Sequence, residues 1–167
     1  MKDEFFEIKK IGIISDTHIP IRAKNIPEKV FKIFESVDLI LHAGDLVELY
    51  VIEELEKIAP VVAVKGNMDR FIDSLPEKRI IKVNNKFKIG IIHGSGDPFS
   101  LPVRVKKEFR DVDCIVFGHS HRAFNELVDG ILLFNPGSAC DTVFTSVNSV
   151  GLLYIGDKIK GEIIRIN

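Results

Sequence analysis

The chain carries little that would draw it to a polyanion or into a membrane. Its 167 residues have a formal net charge of −1, so no global field attracts nucleic acid or an anionic surface. No apolar run approaches the roughly 18 residues that span a bilayer. The start, "MKDEFFEIKK", is acidic and has no continuous apolar segment, which argues against a signal peptide and for a cytoplasmic protein. There are only two cysteines, Cys114 and Cys140, without CxxC spacing, and Cys114 lies inside the apolar run "DCIVFG". Buried free thiols are the reading. Linkers, low-complexity segments and internal repeats are also missing. What remains is 46% hydrophobic and 28% charged, the profile of a compact domain covering residues 1–167.

Along the chain, short Ile- and Val-rich runs alternate with amphipathic stretches. "KKIGIISD" (9–16), "VDLILHAGD" (37–45) and "PVVAVKGN" (60–67) read as strands covered on both faces. Residues 27–36 and 49–59 read as the helices between them, the first with Val30, Phe31, Ile33 and Phe34 on its apolar stripe. This βαβαβ opening implies parallel strands. "KRIIKVNNKFKIGIIHG" (78–94) reads as two strands joined at Asn84-Asn85. Residues 101–109 form a further helix and "DCIVFGHS" (113–120) another strand; after 123 short strands with Gly and Asp turns follow. An α/β first part and a largely antiparallel last part fit two sheets packed face to face with helices outside.

Five of the apolar strands end in residues that bind metal ions. Asp16 and His18 follow "IGIIS", Asp45 follows "LILHAG", and Asn67 follows "VVAVKG". His93 follows "KIGII", and His119 and His121 follow "IVFG". Each piece alone has an ordinary explanation as a cap or turn. Four of the chain's five histidines in such positions do not. The fifth, His42, lies inside "LILHAGD" and reads as a core histidine or one that orients a ligand.

Two carboxylates, an amide and four imidazoles, with no thiolate, suit Mn, Fe, Co, Ni or Zn. Seven ligands exceed the needs of one ion, whereas two ions sharing a carboxylate would use them all. Such a pair, roughly 3.5–4 Å apart, generates hydroxide and clamps a phosphoryl group.

"SDTH", "HAGD", "GNMD", "IIHG" and "GHSH" stand in the order DxH, GD, GN, His, GHxH. In this the chain resembles the calcineurin-like metallophosphoesterases, and most of all their small bacterial and archaeal phosphodiesterases; "FNPGS" (134–138) resembles a later signature of that group. The resemblance implies a four-layer α/β/β/α sandwich of two mixed sheets. It implies that Asp16, His18, Asp45 and His121 hold one ion and that Asp45, Asn67, His93 and His119 hold the other, with Asp45 bridging. Asp45, Asn67 and His119 are then the residues closest to catalysis.

The same resemblance implies two divalent ions, usually Mn²⁺, with Ni²⁺, Co²⁺, Fe²⁺ or Zn²⁺ as substitutes. It also implies a small phosphodiester substrate attacked by a metal-bridging hydroxide, and a homo-oligomer (dimer or tetramer). Nothing in the sequence points to nucleic-acid or membrane partners.

One position departs from the pattern. Many relatives read GNH where this chain has Gly66-Asn67-Met68, and a thioether carries no proton for a leaving group. Asp69 or Arg70 is the expected substitute. Arg22 and Lys24 are candidates to meet a phosphate. Two other readings remain: a phosphomonoesterase using the same centre, and a protein-interaction scaffold like the eukaryotic retromer subunit, which shares the fold. The intact ligand set favours an enzyme.

Overall fold

The computed structural model describes residues 3–167. Its first sheet is built around β2 (Lys10–Ile14), β3 (Leu39–His42) and β4 (Val61–Ala63), which run parallel. The crossovers are α1 (Glu28–Phe34) and α2 (Tyr50–Glu56). Alternation along β2 and β3 explains their unbroken apolar runs. Ile11, Ile13, Leu39 and Leu41 enter a core between the two sheets, while Ile14 and Ile40 enter a second core beneath the helices. Val30 and Phe34 of α1 and Val51 and Leu55 of α2 close that second core.

The other sheet has the order β1-β5-β6-β7-β9-β8. It comprises β1 (Glu4–Phe5), β5 (Lys78–Val83), β6 (Phe87–Ile92), β7 (Cys114–Val116), β8 (Ala123–Val128) and β9 (Ile131–Pro136). β5 and β6 are joined as expected at Asn84-Asn85, both in the left-handed region at φ 54°. Leu101 and Val105 of α3 (Leu101–Lys107) cover its outer face together with Phe109. The layers are therefore α/β/β/α, with both sheets mixed.

The C-terminal hairpin, β10 (Ser149–Ile155) and β11 (Ile159–Arg165), whose sheet the sequence pattern left open, lies in the first sheet. It pairs antiparallel with β2, giving a first sheet of order β11-β10-β2-β3-β4. The strands stop earlier than their apolar runs suggest. Asp16 (φ 53°), Asp45 (φ 58°) and His119 (φ 68°) adopt left-handed backbone, which no ladder accommodates. Cys114 and Cys140 are buried free thiols, one in each of the two cores of the first sheet.

Candidate metal centre

All seven candidate ligands lie at the ends of β2, β3, β4, β6 and β7, on one edge of the sandwich. The loop after β2 is zipped to the loop after β3: Asp16 N–H donates to Gly44 O and His18 N–H to Asp45 O, both at 3.0 Å. Asp16, His18, Asp45, His119 and His121 all have positive φ, between 46° and 68°. Such backbone costs of order 1–3 kcal/mol per residue and concentrates at functional sites. Two glycines permit the packing. A Cβ on Gly66 would collide with the carboxylate and backbone nitrogen of Asp45, and one on Gly118 with the hydroxyl of Ser15.

The side chains converge from there. His18 Nε2 and His121 Nε2 stand 3.2 Å apart, and Asp16 Oδ1 lies 3.2 Å from His121 Nε2 and 3.8 Å from His18 Nε2. On the other side, His93 Nε2 is 3.2 Å from Asp45 Oδ2 and 3.1 Å from Asn67 Oδ1, which faces His119 Nδ1 at 3.3 Å. Asp45 Oδ2 is also 3.6 Å from His18 Nε2, so it lies between the two halves. Asp16, His18 and His121 offer ligand atoms within 4.8 Å of one another, as do Asp16, Asp45 and His93. Asp16 thus reaches both groups, where the family pattern gives it to one.

Asp16 Oδ1 is the one buried side-chain polar atom among the described residues that lacks a hydrogen-bond partner. A fully buried carboxylate oxygen in that state is costly unless a cation completes it. Three imidazole nitrogens point the same way because their far nitrogens are anchored: His93 Nδ1 on Ala43 O (2.7 Å), His119 Nε2 on Gly96 O (2.9 Å) and His121 Nδ1 on Asp141 Oδ2 (2.6 Å). Anchoring the outer nitrogen as a donor leaves the inner lone pair free for an ion.

The charges respond to this crowding. Burial disfavours a charged His93, but Asp16 and Asp45 outweigh it and hold the ring up at about 9. Burial is likewise outweighed at His121, raised by Asp16 and Asp141. Asp16 is held below the usual carboxylate range despite its burial, by His93, His121 and His18, and Asp45 is lowered chiefly through His93. A raised histidine stabilises the fold fully below its ordinary 6.5 and loses that contribution as pH climbs through about 9. The lowered carboxylates contribute above their ordinary 3.8 and lose it in acid.

The ion-free protein should therefore be most stable at about pH 6.5: its Tm falls towards pH 9 as His93 loses its proton, and falls in acid because His42, pushed down to about 3 by burial, resists protonation and the carboxylates lose their charge. Divalent ions should abolish that alkaline decline, because they require neutral imidazoles. Scanning calorimetry from pH 5 to 9, with chelator and with Mn²⁺, reads both effects.

His42 is a core residue, as its position in the run suggests. It is fully buried, burial pushes it down to about 3, and it accepts from Gly44 N–H at 3.2 Å while its Nε2 meets Thr17 Oγ1 at 3.1 Å. The expectation for Asp69 is corrected. Asp69 is buried, and its carboxylate accepts from the backbone N–H groups of Asp45 (2.8 Å), Gly66 (2.8 Å) and Val47 (2.7 Å). It shapes the turn and is not placed to protonate anything. Arg70 is exposed and lines a neighbouring groove with Asn67 and His93, while Lys24 is exposed and lines no cavity at the centre.

Sequence reasoning missed Asp141. Its carboxylate takes the His121 ring, meets Arg22 Nε at 3.6 Å, and accepts from the N–H groups of Val143 and Phe144. It sits in a loop without periodicity, where an aspartate gives no signal of its own. Asp141→Ala should free the His121 ring and weaken divalent-ion binding by about 10- to 100-fold, as removing such a partner does elsewhere. Titration calorimetry with Mn²⁺ checks it. The "FNPGS" segment also acquires a role: Asn135 Nδ2 donates to Gly118 O at 2.8 Å and Ser138 Oγ to Asp16 O at 2.7 Å, tying two ligand loops together.

Residues 10–158 match the calcineurin-like phosphoesterase superfamily domain. The chain belongs to this family. It is 40% identical to a probable metallophosphoesterase of Methanothermobacter thermautotrophicus, over 93% of this chain and 91% of that one. It is 34% identical to a phosphodiesterase of Methanocaldococcus jannaschii, over 93% and 98% of the two chains. Among solved structures, Vps29 of Entamoeba histolytica complexed with Zn²⁺ superposes with a TM-score of 0.73 at 29% identity, covering 95% of this chain and 99% of that one. As a metallophosphoesterase-family chain, the protein carries an Asp/His cluster fit for metal binding. Among the described residues no helix is long and apolar enough to cross a membrane.

Proposed function

We propose that this chain is a dimetal phosphodiesterase whose ions are held by Asp16, His18, Asp45, Asn67, His93, His119 and His121. The observation that carries the reading is the buried Oδ1 of Asp16, which has no hydrogen-bond partner and has three imidazole Nε2 atoms within 4 Å of it. Asp16, His18 and His121 serve one ion, Asn67, His93 and His119 the other, and Asp45 stands between them. Bound Mn²⁺, the preferred ion in this reading, would supply an activated water and offset the charge of the phosphoryl group. The anchored imidazoles keep their inner nitrogens aimed before any ligand arrives, so little reorganisation is needed.

Met68 lies at the cavity over the centre, is 40% exposed and has no proton to give. A leaving group that departs unprotonated is therefore the suitable one. Purified protein should contain divalent metal and, with Mn²⁺, turn over bis(4-nitrophenyl) phosphate in a chelator-sensitive way. A scaffold is the second reading, supported by the likeness to Vps29. Metal-free protein that stays inert after Mn²⁺ addition would favour the scaffold instead.

A further inference from the structure

A cavity of about 420 Å³ opens over the centre, lined on one part by His18, Asp45, Asn67, His119 and His121. The rest of its wall is apolar Ile21, Met68, Pro98 and Phe144, with Ser120 and two arginines, Arg22 and Arg122. Each arginine lies over a phenylalanine ring. Arg22 lies 5.2 Å from the Phe144 ring centroid and Arg122 lies 4.8 Å from that of Phe99. Both rings are exposed, by 72% and 79%, so neither is there to fill a core.

A guanidinium held over a ring by its charge does not use up its N–H groups, which stay available to oxygens. Among the described residues the Arg122 guanidinium has no hydrogen-bond or ion-pair partner, and Arg22 meets only Asp141, through Nε. The Phe144 ring is also held on the inner side, edge-on to His121 at 5.9 Å, and its backbone N–H is fixed by Asp141 at 3.0 Å. The same carboxylate therefore positions a candidate ligand, a cation and a flat apolar ring.

A diester keeps one substituent after the other leaves, and that group needs a place beside the centre. Apart from Asp45 the cavity has no acidic lining, and its size suits a small organic group. Resting on the phosphodiesterase reading above, we propose that this wall is a subsite for a flat aromatic ring on the retained substituent, with Phe144 and Met68 against the ring and Arg22 and Arg122 towards the phosphoryl oxygens. A nucleobase and a simple aryl group share this chemistry.

The test uses three esters with one leaving group: ethyl, phenyl and thymidine 5′-(4-nitrophenyl phosphate), each rate divided by its uncatalysed rate. With Mn²⁺, kcat/KM should favour the aromatic esters over the ethyl ester by about tenfold, mostly through KM. A further gain for thymidine over phenyl assigns the ring to a nucleobase, and no gain assigns it to an aryl group. Phe144→Ala should bring the preference close to one, whereas Arg122→Gln should raise KM for all three esters alike.

Binding gives a readout without turnover: calorimetry with Mn²⁺ present should show thymidine 5′-phosphate binding more tightly than ethyl phosphate. If no ester reacts but this difference appears and is lost in Phe144→Ala, the hydrolytic reading falls and the subsite stands. Equal rates and equal affinities in the unmodified protein, or a preference that survives Phe144→Ala, overturn the subsite.

Discussion

Asp45→Ala is expected to strip the protein of tightly held divalent metal and to lower kcat/KM for a chromogenic diester by about a thousandfold or more. The magnitude follows from the several kcal/mol that Lewis-acid stabilisation contributes, at tenfold per 1.36 kcal/mol. Asp45 is singled out because its Oδ2 faces His18 on one side and His93 on the other, at 3.6 and 3.2 Å. Asp16 also reaches both groups, but it is already engaged there and cannot supply the second carboxylate. Removing Asp45 also leaves the Met68 N–H, which donates to Asp45 Oδ1 at 2.8 Å, without a protein acceptor. Two measurements belong together: metal content by elemental analysis, and turnover with Mn²⁺ in excess. Circular dichroism must show the variant folded. A folded Asp45→Ala protein with full activity would remove the centre from the reaction.

The clustering of the candidate ligands was legible because each candidate terminates an apolar run, and the run itself marks the strand that carries it. Burial on both faces makes β2 and β3 unmistakable, since Ile11, Ile13 and Ile14 leave no polar face to confuse the period. The ends of those strands were not legible. Asp16 and Asp45 turn the chain by left-handed backbone, and although Asp suits a turn, the apolar run before each does not show at which residue the ladder stops. The pairing of β10 with β2 was hidden for another reason: Gly151 meets Ile13 across the length of the chain, and periodicity carries no information about such a partner. β1 was missed because two residues cannot show a period.

The residues that brace the candidate ligands from outside the cluster were the least visible. Asp141, Asn135 and Ser138 act on backbone groups and on the far side of a ligand ring, and each lies near a turn where Asp, Asn and Ser are ordinary. Their work depends on long-range contacts, so only the folded chain reveals it. Met68 was legible as a departure, but not as part of a cavity wall beside Phe144, since the two belong to loops far apart in sequence.

Asp69→Ala should be the most destabilising single change near the centre. The wild-type carboxylate accepts three backbone N–H groups, from Asp45, Val47 and Gly66, and thereby fixes the turn after β3 against the turn after β4. Asp69 is 1% exposed, so alanine leaves the buried Asp45 and Gly66 donors where solvent cannot replace the acceptor, and the part-buried Val47 donor poorly served. Each unsatisfied buried donor costs about 1–3 kcal/mol, and because the three act as one network the total is about 3 kcal/mol rather than the sum of maxima. At about 2–4 °C per kcal/mol for a chain of this size, Tm should fall by about 6–12 °C. Gly66 and Asp45 would shift together, so Mn²⁺ should restore less stability to the variant than to the wild type. Asp69→Asn keeps one acceptor oxygen but turns an NH₂ towards a backbone donor, and should fall between the two. A proton-donating Asp69 predicts the opposite pattern: Asp69→Asn with an unchanged Tm and a rate loss confined to esters with poor leaving groups. Differential scanning calorimetry of both variants, beside their rates on alkyl and 4-nitrophenyl esters, separates a carboxylate that builds the turn from one that does chemistry.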